Sequence, residues 1–233
     1  AFAAVGSYLA AVIVEPIAAN MDLVPPAPGF LEGLRRRCDE AGALLVFDEV
    51  ITGFRVGAGG AQTMYDVTPD LSMFGKVIGG GLPLAALAGR AVVMDELAPL
   101  GSVYQAGTLS GNPLATAAGL AVLALLDDGA YEELTARASR FADGLRDALA
   151  PSSAKAQVTQ AGTLTGIFFA DTPITRFADA QAADHEQYAR FFHAMLDRGI
   201  FLPPSGYEAM FVSLAHTADD IDRTIAAAAE AAL

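Results

Sequence analysis

The chain has 233 residues, 53% of them apolar and 18% charged, enough to bury a core in one large or two modest domains and too apolar for a disordered tail. Fourteen Lys and Arg against 27 Asp and Glu leave a net charge of −13, which repels nucleic acid and anionic lipid unless a local basic patch intervenes. The densest basic run, Arg35-Arg36-Arg37, sits among Glu32, Asp39 and Glu40 and reads as a solvated helix face, so neither a nucleic-acid nor a membrane partner is expected.

Strand and helix signals alternate through the first half and predict an α/β fold with a mostly parallel sheet. Leu9 to Val14 is a β-branched strand that the chain enters soon after its start, as though cut from something longer. Pro28 to Ala41 is a helix with proline at its beginning and Gly42 just past its end, and Ala43 to Phe47 is a second buried strand. Ser72 to Phe74 is a short strand entering a glycine-rich turn, and Leu84 to Val93 carries further strand character. Asn112 to Leu126 is an Ala/Leu-rich helix with few polar positions, expected to be buried or to bridge two domains. After Asp127-Asp128-Gly129 come an amphipathic helix, a Pro-Ser-Ser break, a strand around Gly166 to Ala170 and a helix from His185 to Arg198. Short apolar runs at Ile200 to Pro203 and Met210 to Leu214 precede a last helix, Ala218 to Leu233, whose acidic opening suits its dipole. The domain boundary is expected near residue 126, giving domains 1–125 and 126–233.

No apolar run reaches the roughly 18 residues that span a bilayer, and no basic signal-peptide region opens the chain. The single cysteine, Cys38, has no disulfide partner and no metal-ligand spacing around it, which suits a reducing compartment, read as the cytoplasm, and predicts no metal.

Two residues stand out for chemistry. The strand Leu44-Leu45-Val46-Phe47 leads into Asp48-Glu49, placing a carboxylate at the C-terminal edge of a parallel sheet, where α/β proteins bind ligands. The same pattern describes the magnesium-binding strand of P-loop ATPases, but residues 1–47 contain no G-x-x-x-x-G-K-[ST] loop, and Gly75-Lys76 lies downstream and is followed by Val77. Taken alone, Asp48 reads as a capping or salt-bridged residue. Lys76 lies between Met73-Phe74-Gly75 and Val77-Ile78-Gly79-Gly80-Gly81, an apolar glycine turn, whereas most lysines lie on solvated faces. Desolvated there, a lysine gives up its charge more readily and becomes an amine nucleophile for a carbonyl. A plain tight turn explains the glycines equally well.

Several stretches in order, VIVEPIAAN (12–20), LLVFDEVITGFR (44–55), PDLSMFGKVIGGGLP (69–83), VYQAGTLSGNPLA (103–115), FFHAMLDRGIFLPPS (191–205) and FVSLAHT (211–217), resemble the class III, fold-type I aminotransferases through essentially the whole chain. The likeness is greatest to the aminomutase branch of that class, whose reaction is intramolecular transfer of an amino group in tetrapyrrole synthesis. It implies a fold-type I pyridoxal-5′-phosphate (PLP) transferase: part of the large, mostly parallel-sheet domain followed by a smaller α+β C-terminal domain.

By position, the resemblance makes Lys76 the Schiff-base lysine and proton shuttle, and Asp48 the carboxylate that keeps the cofactor's pyridine nitrogen protonated. That nitrogen's pKa rises beside a carboxylate, and the resulting cation is an electron sink. Asn20 matches a residue that bonds the ring hydroxyl, although a turn-forming Asn is an equal local reading. Gly107 and Thr108 match a loop that reaches the cofactor phosphate of a neighbouring subunit, which implies a homodimer with the loop supplied in trans. Glu208, Tyr104 and Gln105 match pocket-lining positions. Ordinary members pair the substrate carboxylate with an arginine near the last short strands; Ile200 to Thr217 contains none, which fits the aminomutase branch. His193 and His216 have no Ser, Cys or metal partner at useful spacing and are left out of the mechanism.

The resemblance also implies a preceding half, with a Gly/Ser/Thr phosphate cup, a ring-stacking aromatic and a gate, that nothing here matches; the chain by itself is not expected to turn over. A class III aminotransferase acting on an ω-amino or other donor, and a non-catalytic fragment of such an enzyme, remain as alternatives.

Overall fold

A computed structural model describes residues 2–5, 8–151 and 155–231. It divides the chain into two compact units, Ala1–Pro16 with Pro26–Asp127 and Ile17–Pro25 with Asp128–Leu233.

In the first unit a short helix α1 (Phe2–Val5) precedes β1 (Ala11–Val14), α2 (Phe30–Ala41), β2 (Leu44–Glu49), α3 (Gly60–Met64), β3 (Leu71–Phe74), β4 (Ala86–Gly89), α4 (Ala91–Met94) and α5 (Pro113–Leu123). The sheet order is β1-β2-β3-β4. β1 pairs with β2 and β2 with β3 in parallel, with Val14 opposite Phe47 and Asp48 opposite Met73. β4 runs antiparallel to β3, so the expected strand at 84–93 is four residues long, reversed, and followed by a helical turn. Helix α2 turns Leu31 and Cys38, two turns apart, toward Leu45, Phe47 and Val67, and ends where Gly42 takes a left-handed conformation and donates to the Cys38 and Asp39 carbonyls.

The second unit contains α6 (Asp128–Leu149), β5 (Ala156–Ala161), β6 (Leu164–Phe169), α7 (Phe177–Gln181), α8 (His185–Asp197), β7 (Met210–Phe211) and α9 (Ala218–Ala231). β5, β6 and β7 form an antiparallel sheet, the first two joined by the tight turn Gly162-Thr163. Leu134, Ala138, Phe141, Leu145 and Leu149 make one buried stripe of α6, and the last four pack with Ile167, Phe169, Phe191 and Met195 into the core. β5 was not foreseen: its Ala-Gln-Val-Thr-Gln-Ala sequence carries too few apolar residues for a strand signal, and its glutamines are satisfied locally, Gln157 donating to Ala170 O and Thr172 O. Residues 200–203 form no regular element. Ser152 and Ser153 of the expected break, and the last two residues of the expected final helix, lie outside the described residues.

Helix α5 departs from expectation in burial. Ala115 and Gly119 are buried, but Leu114 and Leu120 are 73% and 71% exposed, so its apolar surface is uncovered within this chain. Among the described residues, no single helix is long and apolar enough to cross a membrane.

Asp70 fastens the first unit. Its buried carboxylate accepts from Arg35 of α2 at 2.7 Å, from Arg90 after β4 at 2.8 Å and from the Leu45 N–H of β2 at 2.8 Å. Burial alone would raise this carboxyl, but the bonds from Arg90, Leu45 and Arg35 hold it below its ordinary value of 3.8. Asp70→Ala leaves those donors unpaired and is expected to destabilise the unit by about 2–3 kcal/mol in urea unfolding. Because the folded-state pKa is depressed, the loss is complete above about pH 4 and shrinks as the pH falls through the folded-state value.

Candidate active site

Parallel pairing of β2 and β3 brings the C-terminal ends of both strands to one edge of the sheet, and the two sequence-predicted reactive residues lie there. Asp48 is the penultimate residue of β2, half-buried; its Oδ1 accepts the Val50 N–H at 3.1 Å, and among the described residues Oδ2 has no hydrogen-bond partner. Asp48 stands opposite Met73, three residues before Lys76.

Lys76 opens a 3-10 turn, Lys76–Gly79, directly after the extended Gly75. Its φ of 46° lies in the left-handed region, which costs a side-chain-bearing residue roughly 1–2 kcal/mol. The amine is exposed and has no ion-pair partner among the described residues. The expected desolvation is therefore not a property of this chain alone: Ile78 and Gly79 are the buried part of the turn, against α5, while the side chain at 76 stays outside. The approach to α5 is close. A Cβ on Gly119 would lie 2.1 Å from the Ile78 carbonyl oxygen, so only glycine fits there.

The segment 104–108 is exposed throughout, Tyr104 at 82%. Just beyond it, Ser110 N–H donates to Gly107 O at 3.0 Å and Asn112 caps α5, its Oδ1 accepting from Leu114 N and Ala115 N. Asn20 and Glu208 both belong to the second unit, Asn20 through the 17–25 segment. Glu208 lines a cavity of about 570 Å³ with Phe201, Leu202, Phe211, His216 and Arg223. The stretch 200–217 lacks arginine, yet α9 supplies Arg223 to this cavity, a placement that only folding reveals. His216 organises a turn, its Nδ1 accepting the Ser213 N–H at 3.0 Å, and His193 is an exposed ring edge-on to Phe192.

Besides Asp70, two buried carboxylates escaped the sequence reading. Glu49, wholly buried, accepts from Thr52, Ala61 and Gln62; in sequence it was overshadowed by its neighbour Asp48. Asp22, also left-handed at φ 60°, has Oδ1 on the Leu23 N–H at 2.7 Å and Oδ2 on the Ile167 N–H at 2.9 Å. Burial pushes its pKa up to about 8 against the opposing pull of those two amides.

Comparison with known proteins bears on this arrangement. Residues 2–231 match the family described as aminotransferase class-III. The chain is 53% identical over 231 residues, 99% of its length, to a glutamate-1-semialdehyde 2,1-aminomutase of Desulforudis audaxviator, and 56% identical over 224 residues, 96% of its length, to one of Roseiflexus castenholzii. It covers 54% and 52% of those proteins, so the chain spans about half the length of the curated relatives it matches. Among solved structures, an ω-transaminase from Sphaerobacter thermophilus superposes with a TM-score of 0.88 at 31% identity, over 99% of this chain and 53% of that one. A glutamate-1-semialdehyde aminomutase from Pseudomonas aeruginosa in complex with PMP superposes with a TM-score of 0.84 at 25% identity, over 95% of this chain and 51% of that one.

Lys76→Gly removes the amine and relieves the left-handed strain, so it is expected to raise stability by about 0.5–1 kcal/mol in denaturant unfolding. For Asp22 the raised pKa means that folding retains a proton, and stability contributed by this group falls as the pH rises from about 4 to 8, by at most about 1.4 kcal/mol per pH unit. Asp22→Asn does not titrate and turns an amide NH2 toward one of the two backbone donors. The stability advantage of the parent chain over this variant should therefore shrink between pH 5 and pH 9; a growing advantage would mean that the two amides outweigh burial.

Proposed function

The chain belongs to the class-III aminotransferase family, and on that footing we propose that it forms the lysine-bearing part of a PLP-dependent aminomutase converting glutamate-1-semialdehyde to 5-aminolevulinate, a precursor of tetrapyrroles. The observation that carries the reading is an exposed amine at Lys76, without an ion-pair partner among the described residues, set by a strained turn at the same sheet edge as a carboxylate with one oxygen unbonded among them. Identity above 50% to relatives named for this reaction, over nearly the whole chain, supports the choice of substrate.

These residues fit PLP. An unpaired amine suits covalent attachment to an aldehyde, a carboxylate with a vacant oxygen suits a protonated ring nitrogen, and the glycine turn lets the backbone approach a flat ring. Bound there, the cofactor supplies an electron sink for charge developing at a substrate carbon. Lys76 holds the group and moves protons between substrate carbons; Asp48 holds a proton at the ring nitrogen. Asn20 would bond the ring hydroxyl, Gly107 and Thr108 would reach the phosphate held by a neighbouring subunit, and Glu208, Tyr104 and Gln105 would line the substrate side. The working form is a homodimer in the cytoplasm. Large exposed apolar side chains between residues 100 and 125, among them Leu100, Tyr104, Leu114, Leu120 and Leu125, support a partner covering this segment.

Similarity to an ω-transaminase and to a β-phenylalanine aminotransferase of Variovorax paradoxus, at 31% and 32% identity, favours intermolecular transfer as the second reading.

The test adds PLP and borohydride to the full-length protein and maps the label, which is expected on Lys76. Lys76→Ala should lose 5-aminolevulinate formation by roughly 10²–10⁴-fold, the usual scale for a positioned acid–base group. Normal product formation by that variant would refute the role, and amination of added 2-oxoglutarate or pyruvate would select the second reading.

A further inference from the structure

We propose that Glu49 is a positioning residue of this site: it braces the loop 50–62, which sets both the Asp48 carboxylate and the backbone entering Lys76. The proposal rests on the roles given above to Asp48 and Lys76.

Glu49 is fully buried and has no cationic partner among the described residues. Its Oε2 accepts from Thr52 Oγ1 at 2.8 Å and from Ala61 N at 2.7 Å; its Oε1 accepts from Gln62 N at 3.2 Å and Gln62 Nε2 at 3.1 Å. Four neutral donors thus converge on two oxygens from both ends of the loop. A carboxylate alone meets this demand. Glutamine would turn an NH2 group toward two of the donors, and aspartate is one carbon too short. Burying an unpaired charge is costly, and a well-packed apolar side chain would anchor the loop without that cost. What the carboxylate adds is a fixed direction for the chain leaving β2.

That direction matters at both reactive residues. Val50, the first residue of the loop, donates its N–H to Asp48 Oδ1 at 3.1 Å, which orients the carboxylate. The Val50 side chain also lies against the backbone before Lys76, where a Cβ on Gly75 would come within 3.2 Å of Val50 Cγ1. Gly53 N–H donates to the Glu49 carbonyl at 2.8 Å and lies so close to Phe74 that a Cβ there would be 2.5 Å from the ring. Phe54 packs on the same ring with centroids 5.7 Å apart. The loop therefore touches Asp48 at one point and the last two residues before Lys76 at three, and Glu49 ties its two ends together.

The experiment compares the full-length protein with Glu49→Gln and, as a stability control, Leu145→Ala in the core of the second unit. It reads the PLP dissociation constant, the pH midpoint of the bound-cofactor absorbance, and the unfolding temperature. Glu49→Gln should weaken PLP binding by about tenfold, the scale of one lost charge-assisted hydrogen bond, and shift the midpoint. Leu145→Ala should lower the unfolding temperature and move neither reading. Adding Thr52→Val, which removes one mismatched donor, should restore part of both. If Glu49→Gln does not fold, Thr52→Val and Gln62→Ala, each deleting one donor, carry the same comparison. Variants that shift the readings no more than Leu145→Ala does overturn the proposal and leave the function intact. A parent protein that takes no label at Lys76 overturns the functional reading itself and the proposal with it.

Discussion

Parallel pairing between β2 and β3 is the constraint on which this arrangement depends. Strands that run in the same direction end on the same edge, so the carboxylate near the end of one and the amine that follows the next lie at the same edge of the sheet. β4 then runs back along β3, and the turn between them, the one that carries Lys76, is seated on α5 where Gly119 leaves room for the Ile78 carbonyl. An antiparallel β2–β3 pair would have sent the two groups to opposite ends of the sheet.

The chain solves the problem of buried carboxylates in three ways. Asp70 is paired with two guanidiniums and a backbone amide, and its pKa falls. Asp22 has two amides and, among the described residues, no cation, and burial dominates, so its pKa rises. Glu49 collects four neutral donors from a single loop. The difference lies in what each holds: Asp70 fastens elements, Asp22 holds a left-handed bend against β6, and Glu49 shapes a loop whose contacts run to Asp48 and to the two residues before Lys76. Asp48, by contrast, has one oxygen without a hydrogen-bond partner among the described residues.

The uncovered apolar surface of the first unit has the same logic. Helix α5 is nearly all Ala, Leu and Val, a composition suited to burial, yet several of its large side chains face outward in this chain. Sequence composition shows that such a helix is to be covered and cannot say by what. The chain covers only about half the length of the curated relatives it matches.

Legible in the sequence alone were the α/β alternation, α2 with its glycine stop, β2 leading into Asp48, the turn bearing Lys76 and the family likeness, because each rests on local periodicity, local punctuation or short ordered motifs. The hairpin strand β5 was not, since its polar alternation carries little hydrophobic signal, nor was the reversal of β4, which is set by pairing partners rather than by residue type. The grouping of 17–25 with the second unit, the entry of Arg223 into the cavity beside Glu208, the exposure of Lys76 and the four-donor cradle of Glu49 were all decided by tertiary structure. Each depends on contacts between residues separated in sequence, whose cost or benefit exists only once the chain has closed around them.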